Sequence, residues 1–519
     1  MKNNLGTITY QFKYIILINL LILTFHSFGQ KSESPVYVCP CDAACSSLCS
    51  DLHFDKEGSC PKCGMGLQLL KINSTDILSI DKMKEDLDYV VVKLSENHVN
   101  PYLYITKVEF DRLYKKMRNQ IEKPLPRLEF YLMVSELVTA LRDGHTVIDI
   151  PMMYFNEYEK SGLLFPLSLV MSENGFFVTQ IHNKNSGINI GDQILSVNGK
   201  SSTTIVNDFR MLINDVMPLY DVYAKLFNQL LWFKYGDSKE FQIKFKNQAG
   251  QIVKITIPGI KKSELKTGDF ISESDFDLKF IDNATALLTF SRMFRAEAFD
   301  HFLDSAFDVL QEKRIENLII DIRKNGGGKG RMADSLFNYL TEKPYNLFAG
   351  IKYKISEDLK DLYLGNDLNH TDPVDSAFIM GQPNGVVADF LKHTNQTMIT
   401  ITPHKKENVF KGKVFLLTSN HTFSGGALVA GIFKCNAIGK IVGTAPSQTT
   451  KFVADHTYVK LPNSKLDLGI SFVELHLPCE QSYYQGIKPD YEIKQKQEDI
   501  KNGIDSQMKF VLQLIRANK

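Results

Sequence analysis

This chain of 519 residues has no excess of either charge: 60 Lys and Arg stand against 59 Asp and Glu, a formal net charge of +1. Without a basic excess there is no electrostatic footing for nucleic acid or for an anionic membrane surface, and no nucleic-acid partner is expected. Internal repeats and low-complexity tracts are missing too. Long apolar runs are missing beyond the N-terminus. The one that exists, Tyr14 to Phe25, is well short of the roughly 20 residues that span a bilayer. Lys2 and Lys13 precede it and Ser27-Phe-Gly-Gln30 follows, the order of a secretory signal over residues 1–30, with a retained anchor as the alternative. No cysteine follows the run, which argues against a lipid anchor at the processed end. The mature protein is therefore expected to be exported, periplasmic or secreted. Cysteine is scarce outside one cluster: of eight, only Cys435 and Cys479 lie beyond residue 63. Both sit in apolar surroundings and read as buried small hydrophobes.

What is present describes an ordinary globular protein, 44% hydrophobic and 23% charged, too long for one core. The reading is a multidomain α/β chain. Residues 34–72 hold Cys39-Pro-Cys41, Cys45, Cys49 and Cys60-Pro-Lys-Cys63-Gly64-Met65. Two thiolates on a Cys-x-x-Cys turn, met by an upstream pair, can complete a tetrahedral site. Three disulfides are the competing reading in an exported protein. The Tyr37-Val-Cys39-Pro start and the Gly58-Ser-Cys60-Pro-Lys-Cys63-Gly-Met65 end resemble the small heavy-metal-binding module of metal-efflux proteins. That resemblance implies a knuckle holding zinc or another heavy metal on Cys39, Cys41, Cys60 and Cys63.

Residues 76–160 carry three apolar faces at helical spacing: Met83, Leu87, Val90, Val91 and Leu94; Phe110, Leu113, Met117 and Ile121; Phe130, Val134, Leu137 and Leu141. His98-Val-Asn-Pro-Tyr102 reads as a turn between the first two helices. The third helix ends at Asp143-Gly144-His145-Thr146, ahead of a short alternating strand. A turn fixed by Asp143 and Gly144 makes His145 a candidate general base; a plain loop histidine is the alternative. Residues 161–260 read as a small β domain, with Gly191-Asp-x-Ile-x-x-Val-Asn-Gly199 ending a strand in an Asn-Gly turn. This stretch resembles a PDZ domain. By that likeness Gly162, Leu163, Leu164 and Phe165 form a loop whose amides capture a C-terminal carboxylate beside an open sheet edge.

From 261 to 500 strands alternate with helices. Leu318-Ile-Ile-Asp321 is a buried strand running into Asn325-Gly326-Gly327-Gly328. Glycines placed there let backbone amides face a reacting group. A phosphate loop is the alternative, but the Gly-Lys-Ser/Thr ending is missing. Val414 to Leu417 is a second buried strand, followed by Thr422-Phe-Ser424-Gly425-Gly426 and a helix. A serine on a strand-to-helix turn is exposed beside helix N-terminal amides that favour an anion; a simple loop and cap is the bland alternative. The polar stretch 351–412 reads as an irregular flap over the site.

Taken in order, Asp-Gly-His-Thr, the PDZ-like domain, Asp-x-Arg-x-Asn-Gly-Gly-Gly and Ser-Gly-Gly resemble the tail-specific, C-terminal-processing and tricorn-type serine peptidases over residues 76–495. The resemblance implies Ser424 as nucleophile, with Gly425 and an amide of Gly326 or Gly327 as the oxyanion hole. One branch of that family takes its base from a lysine some two dozen residues past the serine. Here Thr449 stands at that place and Lys451 is displaced by two, so the implied base is His145, as in the tricorn-type branch. That branch also carries a carboxylate ahead of a Gly-Val/Ile-x-Pro-Asp motif, here Gly486-Ile-Lys-Pro-Asp490. Glu480 is the acid upstream, while Tyr483 stands at the expected place, leaving the third member open. The implied activity is a serine endopeptidase on peptides or C-terminal tails, with no cofactor for catalysis. A non-catalytic metal- and peptide-binding protein on a degenerate peptidase scaffold is the alternative.

Overall fold

The computed structural model describes residues 37–38, 53–54, 56, 58, 67–69, 77–172, 175–183, 187–214, 219–265, 275–364, 373–479, 486–496, 498–499 and 502–517. Near the N-terminus Tyr37–Val38 pairs antiparallel with both His53–Phe54 and Gln68–Leu69. Cys39, Cys41, Cys45, Cys49, Cys60 and Cys63 lie outside the described residues, as does the signal-like segment. Among the described residues no helix is long and apolar enough to cross a membrane.

The three expected helices are α1 (Ile80–Asn97), α2 (Lys107–Gln120) and α3 (Arg127–Thr139). Ser79 caps α1, and Thr106 and Glu109 close a reciprocal capping box on α2, each satisfying otherwise orphaned amides. Met83, Leu87, Val90 and Leu94 are buried along α1. The same helix buries Asp86, whose carboxylate accepts the amides of Asn463 and Ser464 at 2.8 and 2.7 Å. Those bonds tie the helical segment to the tip of a hairpin in the C-terminal domain. After α3, Arg142 takes a positive φ and the chain turns into β1 (Val147–Ile148), which pairs with Leu468 and Gly469 of that same hairpin. His145 is thus carried from the helical segment onto the C-terminal domain.

The middle domain is an antiparallel sheet of β2 (Leu167–Ser172), β3 (Gly175–Ile181), β4 (Gln193–Val197), β5 (Glu240–Lys246) and β6 (Ile252–Pro258), in the order β6-β5-β4-β3-β2. The stretch between β4 and β5 is helical: α4 (Ser202–Arg210), α5 (Tyr220–Lys225) and α6 (Phe227–Tyr235). Leu219, Tyr223, Phe227, Leu230 and Leu231 recur at helical spacing and are buried. Phe227 meets Phe165 at a tilt and Phe176 and Phe209 edge-to-face.

This packing corrects the expected carboxylate loop. Three of its four amides are already committed: Gly162 to the Tyr158 carbonyl at 2.7 Å, Leu164 to the Ile260 carbonyl at 2.7 Å, and Phe165 to Asn228 Oδ1 at 2.6 Å. Leu164 and Phe165 are buried, and α5 packs along the β2 edge. A loop whose donors are spent internally has little left to offer a carboxylate.

The C-terminal domain is built on β7 (Phe276–Phe280), β8 (Thr285–Phe290), β9 (Asn317–Asp321), β12 (Lys413–Thr418), β13 (Lys440–Gly443) and β16 (Tyr491–Glu492). The order is β7-β8-β9-β12-β13-β16, parallel throughout except for the β7–β8 pair. Leu318, Ile319, Ile320, Leu416 and Leu417 have no exposed surface, as strands covered on both faces require. Helix α7 (Ala296–Glu312) crosses from β8 to β9. Asp321 of β9 pairs with Leu417 of β12, so the loops leaving these two carboxyl ends emerge side by side, where open α/β sheets place their sites.

A second sheet joins β10 (Gly350–Lys354), β11 (Val387–Asp389), β14 (Lys451–Lys460) and β15 (Asp467–His476) in the order β11-β10-β15-β14, with β1 added to β15. The 351–412 region is therefore no irregular flap. Ile351, Tyr353, Ile355, Leu359, Phe378 and Phe390 are all buried, and a period-two apolar pattern lay among its polar residues. The isolated cysteines are corrected as well. Cys435, at the end of α8 (Gly425–Cys435), forms a disulfide with Cys479.

Candidate active site

Ser424 ends the turn between β12 and α8 with φ 49° and ψ −122°, a conformation costly for a residue with a side chain. The strain holds its hydroxyl out of the helix. His145 Nε2 lies 2.9 Å from Ser424 Oγ, across 279 positions of sequence. The imidazole stacks on Phe423 at 4.7 Å between centroids. Phe423 also explains Gly144: a Cβ there would stand 2.7 Å from the Phe423 ring. The bare backbone lets the turn slide beneath the ring.

A buried polar chain anchors the histidine turn. Asp143 Oδ1 accepts the His145 amide at 2.9 Å, and Oδ2 accepts the Ser471 hydroxyl at 2.7 Å. His98 Nδ1 accepts the Asn100 amide at 2.9 Å, so its Nε2 carries the proton and donates to Asp143 Oδ2 at 3.1 Å. Although burial opposes ionisation, the hydrogen bond from His98 holds the Asp143 carboxyl down to about 2. His98, read from sequence as a turn residue, is thus a buried support for the carboxylate that fixes His145.

The His145 ring is half-buried, and the loss of water around it lowers its pKa below the ordinary histidine value. Asp143, Asp455 and a backbone hydrogen bond with Val453 pull it partly back up. With Nε2 facing the serine, that backbone bond falls to Nδ1, which selects the tautomer with its lone pair toward Ser424.

The glycine loop after β9 lies against the serine. Gly327, at φ 102°, would bring a Cβ to 2.6 Å from Ser424 Cβ. Its amide is taken by Asn325 Oδ1 at 2.9 Å. The Ser424 amide is likewise taken, by Gln448 Oε1 at 2.8 Å. Among the described residues the amides of Gly425, first in α8, and of Gly326 donate to no protein group. His421 adjoins the loop, its ring nitrogen 3.8 Å from where a Gly326 Cβ would stand. Burial, then the nearby charges of Lys225, Lys324 and Arg292, push its pKa down to about 4. The loop is thus set in positive surroundings that favour an anion.

Lys451 is not at the serine but within ion-pair distance of the buried Glu474, at 3.3 Å. Thr449 bonds Tyr104. Glu480 and Tyr483 lie outside the described residues, and among the described residues no cluster of three His, Cys, Asp or Glu could hold a metal ion. The sequence reading missed Phe423, Val453 and Gln448. Only Gln448 left a trace, in the polar Ser447-Gln-Thr-Thr450 run that follows a buried strand.

Residues 285–493 match the family model "Peptidase family S41". No curated protein matches the chain in sequence. Solved structures of mature CPAF are among those that share the fold. Mature CPAF complexed with lactacystin is 14% identical with a TM-score of 0.57, covering 84% of this chain and 97% of that one. Mature CPAF is 15% identical with a TM-score of 0.56, covering 81% and 94%. The family match spans the strands that deliver Ser424 and the glycine loop, so residues 285–493 of this chain are similar to peptidase family S41.

Proposed function

We propose that the chain is an exported serine endopeptidase that cleaves peptides or protein tails through an acyl-enzyme, with Ser424 as nucleophile and His145 as general base. The observation that carries this reading is the 2.9 Å approach of His145 Nε2 to Ser424 Oγ. As the hydroxyl attacks a peptide carbonyl, Nε2 takes its proton, and the amides of Gly425 and Gly326 receive the oxyanion. The imidazolium then returns the proton to the leaving amine, and water repeats the sequence to free the acyl group. The Val453 backbone holds the ring, and Asp143 holds the His145 backbone amide. A serine-directed fluorophosphonate should label the wild-type protein at Ser424 and leave Ser424→Ala unlabelled. Absence of labelling, or equal labelling of both, would favour the non-catalytic alternative.

The lowered pKa of His145 has a kinetic consequence. The base must be neutral to act, so kcat/KM should rise with pH to a plateau whose midpoint lies below the ordinary histidine value of about 6.5. A pH profile on any cleaved peptide measures it, and a midpoint above 7 would remove His145 as the desolvated base.

Export is supported by the signal-like N-terminus and by the Cys435–Cys479 disulfide, a bond that persists in oxidising compartments. For the N-terminal module the pairing of Tyr37–Val38 with strands on both sides closes the chain that carries the cysteines. This fits a small thiolate site in which Cys39, Cys41, Cys60 and Cys63 would hold zinc or another heavy metal. Such a metal would supply structural cross-linking there.

A further inference from the structure

Asp455 is a strained residue in the middle of a strand. Eight non-glycine residues take a positive φ among the described residues. Six of them lie just past a helix or in a turn between strands, and a seventh is Ser424. The eighth, Asp455, holds φ 45° inside β14. The ladder between β14 and β15 pairs Ala454 with Val473 and His456 with Ser471, and leaves Asp455 out. Regular alternation would put its side chain on the face of Val453 and Thr457, both buried, yet it is exposed. No ion pair accounts for the distortion: among the described residues the Asp455 carboxylate has neither a hydrogen-bond nor a salt-bridge partner. Strain that no local contact explains is a mark of function.

Its neighbourhood is the histidine turn. Ser471, paired with His456, donates its hydroxyl to Asp143 Oδ2 at 2.7 Å and its amide to the Thr146 hydroxyl at 3.1 Å. Those two residues bracket His145. Val453, which makes the backbone hydrogen bond to the ring, is two residues before Asp455, so their Cα atoms are within about 7 Å. The other charged groups on these elements are engaged elsewhere. Asp143 is held by His98 and Ser471, Lys451 and His476 face Glu474, and His456 meets the Tyr458 ring edge-to-face. Asp143 and Asp455 are the two charges that oppose the desolvation of the His145 ring.

Resting on the reading of Ser424 as nucleophile and His145 as base, we propose that Asp455 is the acidic positioning residue of the reaction, a carboxylate that stabilises the imidazolium formed when Ser424 gives up its proton. The Oγ–H bond breaks, the Nε2–H bond forms, and Asp455 stays ionised throughout. It acts through His145 and touches no substrate. The resemblance drawn from the sequence implies a carboxylate ahead of Gly486, where Tyr483 stands. Here the charge comes from the strand that already holds the ring, and the positive φ keeps the carboxylate out of the buried face.

The test follows the rate at which an alkyl fluorophosphonate labels the full-length protein, measured against pH. Asp455→Asn removes the charge at nearly constant shape. Asp455→Gly removes it while easing the positive φ, which guards against a variant that merely misfolds. Without the anion the imidazolium is harder to form, so the midpoint of the profile should move to lower pH. The expected shift is about 0.5 to 1.5 units, and the plateau rate should fall by the matching factor of roughly 3 to 30. Both variants should show both changes, and the gap to wild type should narrow at about 1 M salt, which screens an exposed charge. A midpoint in Asp455→Asn within about 0.2 units of wild type overturns the proposal, whatever the plateau does, since a purely structural role slows the reaction without moving the midpoint. An Asp455→Gly that keeps the wild-type midpoint overturns it equally. Wild-type protein that is not labelled at all sinks the serine-nucleophile reading itself, a separate failure.

Discussion

His145→Ala should lower kcat by a factor on the order of 10^4 to 10^6 with the thermal transition close to wild type. The side chain removed is partly exposed, stacks on one ring and bonds Ser424, whereas its backbone amide, the group that Asp143 Oδ1 grips, survives the substitution. Asp143 keeps its bonds to His98 and Ser471, so the turn stays in place. What disappears is the acceptor for the serine proton, and an unassisted hydroxyl is a poor nucleophile at neutral pH. Ser424→Ala should cost about as much, and the double variant little more than either alone. Groups that act as one unit lose their whole effect when the first is removed. Turnover of a peptide substrate together with a melting curve decides the matter. Activity within tenfold of wild type would mean that His145 is a neighbour of the serine and not its base.

How much of this was legible beforehand follows from the kind of signal each part leaves. The two buried strands and the turns after them were visible because a parallel sheet demands continuous apolar runs and a close-approach loop demands glycine. Leu318 to Asp321 into Gly326, and Val414 to Leu417 into Ser424, carry both marks. The meeting of His145 with Ser424 was inferred only through the ordered set of motifs, since no local pattern relates positions 279 apart. The supports were invisible. Gln448 and Val453 act through a side-chain oxygen and a backbone group, and neither contact has a spacing of its own. His98 looked like a turn residue, and its partner Asp143 is 45 positions away. In the middle domain the likeness to a PDZ domain drew attention to Gly162–Phe165 and away from the Leu219-to-Leu231 periodicity, whose helices fill the space beside that loop. The cysteine pair was misread for a similar reason: Cys435 and Cys479, 44 residues apart, reveal nothing by separation, and only the packing of α8 against the end of β15 brings them together.

Gly327→Ala should be the most damaging change that leaves every reacting group chemically intact. The new Cβ would stand 2.6 Å from Ser424 Cβ, 2.7 Å from the Gly425 nitrogen and 3.0 Å from the Phe423 carbonyl oxygen, and the residue would have to hold φ 102°. Two of those obstacles are backbone and the third is the first atom of the nucleophile's side chain, so no flexible tip can yield. Either the loop retreats, or Ser424 and the start of α8 move. Both break the same thing, the alignment of Oγ with His145 and of the Gly425 amide with the developing oxyanion. Losing one oxyanion donor costs about 10^2 to 10^3 in kcat, and displacing a reacting atom by about 1 Å can cost another 10^2. A loss of at least about 10^3 in kcat/KM is therefore expected, with a matching loss in fluorophosphonate labelling. Gly326→Ala is the control one residue earlier. Its Cβ would meet only His421 Nε2, at 3.8 Å, and the substitution keeps the backbone amide, so activity should stay within about tenfold of wild type. If the two alanines behaved alike, close approach of the loop to Ser424 would not be what the glycine at 327 is for.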